Sequence, residues 1–196
     1  MNPFPRRIAL VGMRGSGKTT LAKAICRKWD LPFLDGDAIL ESRLCMSIRD
    51  MFEKHGEEWF RDREMECLEE ITKSESWVFA TGGGVIIREN NRECLKKRAL
   101  VVWLDATPDI LATRVTGDSR STSGRPPLVG KVLQDSDQAR TYEVVHLELA
   151  TILKDRLNLY RNGSQIRLNA NQDSSEQLLE QLEKKLEKRI LQKEWV

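Results

Sequence analysis

Long apolar runs are missing from this chain. Its two best, Ile8 to Met13 and Ala99 to Leu104, fall far short of the roughly 20 residues that a membrane-spanning helix requires. The first is broken at Arg14, so it is also too short for the apolar segment of a secretory signal. Cysteine is sparse and dispersed: Cys26, Cys45, Cys67 and Cys94 lie 19, 22 and 27 residues apart with no CxxC pair, and histidine occurs only at His55 and His146. That scatter excludes a compact zinc site and predicts reduced, partly buried thiols rather than a disulfide framework. An excess of one charge is missing too. Lys and Arg total 32 and Asp and Glu total 30, a net charge of +2, which excludes a nucleic-acid or membrane binder that works through bulk positive charge. No internal repeat and no inter-domain linker is visible. The expectation is a monomer in the cytoplasm, built as one domain over residues 1–196.

What is present is a soluble α/β pattern. Charged residues make up 32% of the chain, above the usual figure of about 25%. Short β-branched or aromatic runs at Arg7 to Gly12, Pro32 to Asp35, Trp77 to Thr81, Leu100 to Asp105 and Gln165 to Asn169 alternate with segments of helical periodicity. This alternation predicts an α/β/α fold of three layers, with a central five-stranded parallel sheet. Ser47 with Asp50, Thr107 with Pro108, and Ser174 with Gln177 read as helix starts. In the last helix Leu178, Leu182, Leu186 and Ile190 recur every fourth residue, the stripe of a helix docked on its own sheet. Val132 to Leu159 reads as one long helix. Gly117 to Gly130, GDSRSTSGRPPLVG, is too polar and too long for an ordinary connection and reads as a lid or a disordered insertion.

Gly12-Met13-Arg14-Gly15-Ser16-Gly17-Lys18-Thr19 fits GxxxxGK[ST], directly after an apolar strand and directly before a helix. The chemistry dictates the pattern. Backbone N–H groups of the loop and the helix N-terminus wrap phosphates, the lysine reaches the β- and γ-phosphates, and the threonine hydroxyl ligates Mg²⁺. Four such fixed positions arise by chance in roughly one chain of this length in a hundred or fewer. No glycine has Asp three positions earlier and NKxD is absent, so a switch GTPase is excluded. A small kinase fits better, because a lid can keep water from a γ-phosphate held in line with an acceptor hydroxyl.

Asp35-Gly36-Asp37 ends the second strand, at the carboxyl edge where open α/β sheets bind ligands. Two carboxylates there can divide the work, Asp35 beside the metal and Asp37 toward the acceptor hydroxyl as base or orienting group. Thr81-Gly82-Gly83-Gly84 ends the third strand, where consecutive glycines admit a ligand close to the backbone. The arginines stay ambiguous on spacing alone. Arg61 lies four residues after Glu57, as a plain surface pair would, and Arg125 and Arg156 have similarly bland readings. If several converge on a pocket, the substrate is an anion, most simply a carboxylate held by two prongs.

The ordered series GMRGSGKTT, FLDGD, GEEWFR, TGGGV, GRPPL and DRLNLY, covering Ile8 to about Asn171, resembles the shikimate kinase family of the nucleoside-monophosphate-kinase-like P-loop fold. The resemblance implies transfer of the γ-phosphoryl of MgATP to the 3-hydroxyl of shikimate, with ATP and shikimate as small-molecule substrates. It implies a nucleotide site of Gly15, Ser16, Gly17, Lys18, Thr19 and Thr20, with Arg114 flanking the adenine and Arg125 closing over the phosphates. Thr19 and Asp35 would serve Mg²⁺. Asp37 would be the base, with Lys18 and Arg125 completing the catalytic group. Arg61 and Arg156 would hold the shikimate carboxylate, and Gly82, Gly83 and Gly84 would complete that pocket. The acceptor region falls at about 36–64 and the lid at about 114–130. The chain departs from the family pattern at Asn158, where proline is usual, and at Asn169-Ala170, where the family has an Asp-Thr pair. The DGD itself resembles gluconate kinases, so gluconate kinase or another small-metabolite kinase is the alternative, with a non-catalytic nucleotide-binding protein behind it.

Overall fold

A computed structural model describes residues 5–117, 141–171 and 174–191. The strands are β1 (Arg7–Val11), β2 (Phe33–Asp35), β3 (Trp77–Ala80), β4 (Leu100–Asp105) and β5 (Ile166–Asn169). The helices are α1 (Lys18–Trp29), α2 (Gly36–Leu44), α3 (Ile48–Ile71), α4 (Glu89–Arg98), α5 (Pro108–Gly117), α6 (Tyr142–Gly163) and α7 (Ser175–Leu191). The strands form one sheet in the order β2-β3-β1-β4-β5, every pairing parallel. The three inner strands read as continuous apolar runs because helices cover both faces, and nearly every residue of β1, β3 and β4 is buried. The edge strand β5 alternates buried and exposed residues instead.

The chain leaves β1 for one side of the sheet and returns through β3 to build the other side. This places the segments after β1, β2 and β3 together at the carboxyl edge, the usual ligand crevice of such sheets. Thr81 fastens that edge: its hydroxyl donates to the Leu10 carbonyl at 2.9 Å. The expected helix starts hold. Ser47 Oγ accepts from the Asp50 amide at 3.1 Å, α5 begins at Pro108, and Ser174 and Gln177 exchange reciprocal bonds. Leu178, Leu182 and Leu186 are buried and Ile190 half-buried, with α7 packed on α1 and β5, so the stripe is a docking face.

Two expectations, the bounds of the long helix and the burial of the cysteines, are corrected. The long helix runs from Tyr142 to Gly163 rather than from Val132 to Leu159. Thr141 caps its start by accepting from the Val144 amide, and burial of Tyr160 carries the helix past Leu159; residues 132–140 lie outside the described residues. Of the expected lid, residues 114–117 are the regular end of α5, and the remainder, with Arg125, lies outside the described residues. Finally, all four cysteines are free thiols, but Cys45 is exposed, because it closes α2 at the surface in a left-handed conformation, φ 50°.

Candidate active site

The phosphate loop is shaped by its own backbone. Gly17 takes φ 92° at the N-cap of α1, a conformation that a side chain would strain. The first intrahelical bond of α1 runs from the Leu21 amide to the Gly17 carbonyl, 3.0 Å, so the amides of Lys18, Thr19 and Thr20 are the open donors of the helix N-terminus. Lys18 folds back over the loop, its ammonium donating to the Gly12 and Met13 carbonyls at 2.9 Å each. Arg114, on α5, reaches the Gly15 carbonyl at 3.5 Å, and burial lowers its pKa. A cavity of about 780 Å³ opens here, lined by Gly15, Gly17, Lys18, Thr19, Thr20, Asp35, Asp37 and Arg114 among others. Its size is that of a small-molecule site. Ser16 sits in the same loop with its side chain fully buried, and its hydroxyl has no partner among the described residues.

Asp35 serves two purposes. It is the N-cap of α2, its Oδ1 accepting from the amides of Asp37 (3.2 Å) and Ala38 (3.3 Å). Its Oδ2 accepts from the Thr19 hydroxyl at 3.2 Å. A hydroxyl and a carboxylate meeting beside a phosphate cradle are hard oxygen donors of the kind Mg²⁺ prefers, so these residues fit the metal.

A second, narrower cleft adjoins the first. Asp37, Arg61, Gly82, Gly83, Gly84 and Arg156 all line it, with Met13, Ile48, Phe52 and Phe60 as apolar wall. The glycine turn brings its backbone tight against the charged groups. A Cβ on Gly84 would overlap the Arg61 guanidinium, and one on Gly82 would sit 2.9 Å from both Asp37 Oδ1 and Glu64 Oε1. The amides of Gly82, Gly83 and Gly84 donate to no acceptor among the described residues.

Arg61 is not a surface residue. Its side chain is 7% exposed, and its Nη1 donates to Glu64 Oε2 at 2.7 Å while Nη2 reaches Glu57 Oε1 at 3.1 Å. Burial works against its charge, but the two carboxylates outweigh burial and raise its pKa. Burial also pushes the Glu64 carboxyl up; Arg61 draws it down, Asp37 adds to the rise, Arg156 opposes it, and the net is upward. Arg156, on α6, donates through Nη1 to the Gly83 carbonyl at 3.3 Å. Arg88 braces the turn from the α3 side, binding Asp62 at 2.5 Å and Glu58 at 3.0 Å.

Sequence reasoning missed two residues here. Arg14 is nearly buried and lines both cavities, but it occupies a variable position of the loop pattern and left no signal. Glu64 did leave one, three residues after Arg61 on the same helical face. Asp37, like Arg14, lines both cavities. A group bound in the narrow cleft and a phosphate chain bound in the large one would therefore meet at this carboxylate.

Comparisons with known proteins agree with this geometry. A sequence profile described as shikimate kinase matches residues 14–187. The chain is 34% identical over 175 residues to a shikimate kinase of Rhodopirellula baltica, an alignment covering 89% of this chain and 87% of that one. Among solved structures, shikimate kinase from Acinetobacter baumannii in complex with shikimate superposes with a TM-score of 0.79 at 32% identity, over 93% of each chain. A gluconokinase from Sinorhizobium meliloti superposes with a TM-score of 0.52 at 18% identity, over 96% of this chain and 98% of its own, a likeness of fold alone. With a matching profile that runs from the phosphate loop into the last helix, the chain belongs to the shikimate kinase family.

Proposed function

We propose that this chain transfers the γ-phosphoryl group of MgATP to the 3-hydroxyl of shikimate, giving shikimate 3-phosphate and ADP, a step in chorismate and aromatic amino acid biosynthesis. The observation that carries the proposal is the shared wall. Asp37 lines both the cavity over the phosphate loop and the narrow cleft that holds Arg61 and Arg156. ATP would lie over the loop amides with Lys18 on its β- and γ-phosphates. Shikimate would enter the cleft carboxylate first, toward Arg61 and Arg156, whose guanidinium forks match a carboxylate. Its ring would rest on Phe52, Phe60 and Ile48, leaving hydroxyls at Asp37.

The attacking hydroxyl oxygen then bonds to the γ-phosphorus as the bridging oxygen leaves with ADP, and Asp37 accepts the hydroxyl proton. Lys18 stabilises charge on the transferring group, and Arg125 is proposed to join it. Thr19 and Asp35 would hold Mg²⁺, which would supply further charge neutralisation. Binding energy from the carboxylate serves catalysis by fixing the hydroxyl in line with the phosphorus.

We further propose a cytoplasmic monomer. No helix of the described residues is long and apolar enough to cross a membrane, which is compatible with that location. The test is a coupled ADP-release assay with shikimate, gluconate, AMP and CMP as acceptors. Turnover with shikimate alone is expected; turnover with gluconate or a nucleotide but not with shikimate would overturn the proposal.

A further inference from the structure

The glycine turn of the acceptor cleft is anchored from behind by a phenol that the reaction scheme leaves unexplained. Tyr160 stands one helical turn beyond Arg156 on α6 and is completely buried. Its ring stacks on Trp103 of β4, centroids 5.8 Å apart and planes 8° apart, a packing that phenylalanine would serve equally. The hydroxyl, however, donates to the Gly83 carbonyl at 2.6 Å. Burial holds its pKa up at about 12, so it is a donor at any working pH. Tyr160 does not itself line the cleft, whereas Gly83, Gly84 and Arg156 do.

Two consequences follow from where that bond lands. No peptide bond among the described residues is cis, and in a trans peptide the carbonyl of one residue and the N–H of the next point in opposite directions. A donor that fixes the Gly83 carbonyl toward α6 therefore fixes the Gly84 N–H away from it, and that N–H has no acceptor among the described residues. The second consequence concerns Arg156, which donates to the same carbonyl oxygen at 3.3 Å. An oxygen with two lone pairs accepts both donors. If Arg156 turns to a substrate carboxylate, Tyr160 is the donor among the described residues that keeps this half-buried carbonyl paired. Without the phenol, carbonyl and substrate would compete for one guanidinium.

We propose that Tyr160 is a positioning residue for the acceptor: its hydroxyl holds the Gly83–Gly84 peptide so that the Gly84 N–H faces the substrate carboxylate, and it releases Arg156 to that carboxylate. The inference rests on the proposed shikimate reading of the cleft.

The test uses the full chain with Tyr160→Phe. Shikimate and ATP are varied separately in the ADP-release assay, and thermal unfolding is followed alongside. The KM for shikimate should rise roughly 5- to 20-fold, the loss of one hydrogen bond to a half-buried carbonyl, while kcat and the KM for ATP stay within about twofold. Trp103→Phe is the control for packing, because it loosens the same stack and keeps the hydroxyl; it should lower the melting temperature and leave the shikimate KM within about twofold. An unchanged shikimate KM in Tyr160→Phe, an equal rise in both KM values, or a matching rise in Trp103→Phe would overturn the inference and leave the kinase reading standing. Absence of shikimate turnover in the unmodified chain would overturn both.

Discussion

A single added methyl group at Gly84 should separate acceptor binding from nucleotide binding. A Cβ there would lie 2.5 Å from Arg61 Nη1 and 2.6 Å from its Cζ, whereas carbon contacts settle near 3.5–4.0 Å. The guanidinium must therefore retreat by about 1 Å. It has little room to do so, because Nη1 is held by Glu64 at 2.7 Å and Nη2 by Glu57 at 3.1 Å, with the Arg61 and Glu64 side chains each 7% exposed. Displacement of a substrate-positioning group by about 1 Å can cost on the order of 100-fold. Loss of one charge-assisted bond, about 1.5–3 kcal/mol, gives roughly 10- to 150-fold. For Gly84→Ala we expect the shikimate KM to rise at least about tenfold, with the ATP KM within about twofold because the large cavity is untouched. The assay is steady-state ADP release with each substrate varied at saturation of the other, checked against the melting temperature. A folded Gly84→Ala with unchanged shikimate KM would refute the placement of Arg61 as the carboxylate ligand.

Further outcomes follow from the same geometry. Arg61→Ala should weaken shikimate binding far more than ATP binding by isothermal titration; equal losses would assign Arg61 a structural role. Asp35→Asn keeps an N-cap side chain for α2, so its melting temperature should stay near that of the unmodified chain while the Mg²⁺ concentration for half-maximal activity rises; an unchanged Mg²⁺ requirement would remove Asp35 from the metal. Asp37→Asn should lower kcat by roughly 100-fold or more with shikimate affinity, measured by titration, changed much less; a kcat within twofold would exclude Asp37 as the base.

The legible parts of the sequence were those where one physical demand fixes the residues. β1, β3 and β4 announce themselves because a strand covered on both faces has no polar alternative, as in Trp77–Ala80, where every residue is buried. The phosphate loop is legible because its glycines let backbone amides wrap phosphate, and α3 begins where Ser47 caps it. Arg61 was ambiguous for a definite reason: it makes both the bland bond to Glu57 and the buried bond to Glu64, and sequence spacing cannot reveal which side of α3 faces the interior. α3 also turns at Gly56, φ 81°, so the phase of the helix before the break says nothing about the phase after it. Arg14 carried no signal because the loop motif leaves its position unconstrained. Tyr160 was visible only as a letter of DRLNLY, since its partner Gly83 lies 77 residues away.

The most direct test of this account is the crystal structure of the chain with MgADP and shikimate bound. The carboxylate should lie within hydrogen-bond distance of both Arg61 and Arg156, with a ring hydroxyl on Asp37 facing the phosphate loop. Shikimate bound with its carboxylate away from these arginines, or with no hydroxyl at Asp37, would contradict it.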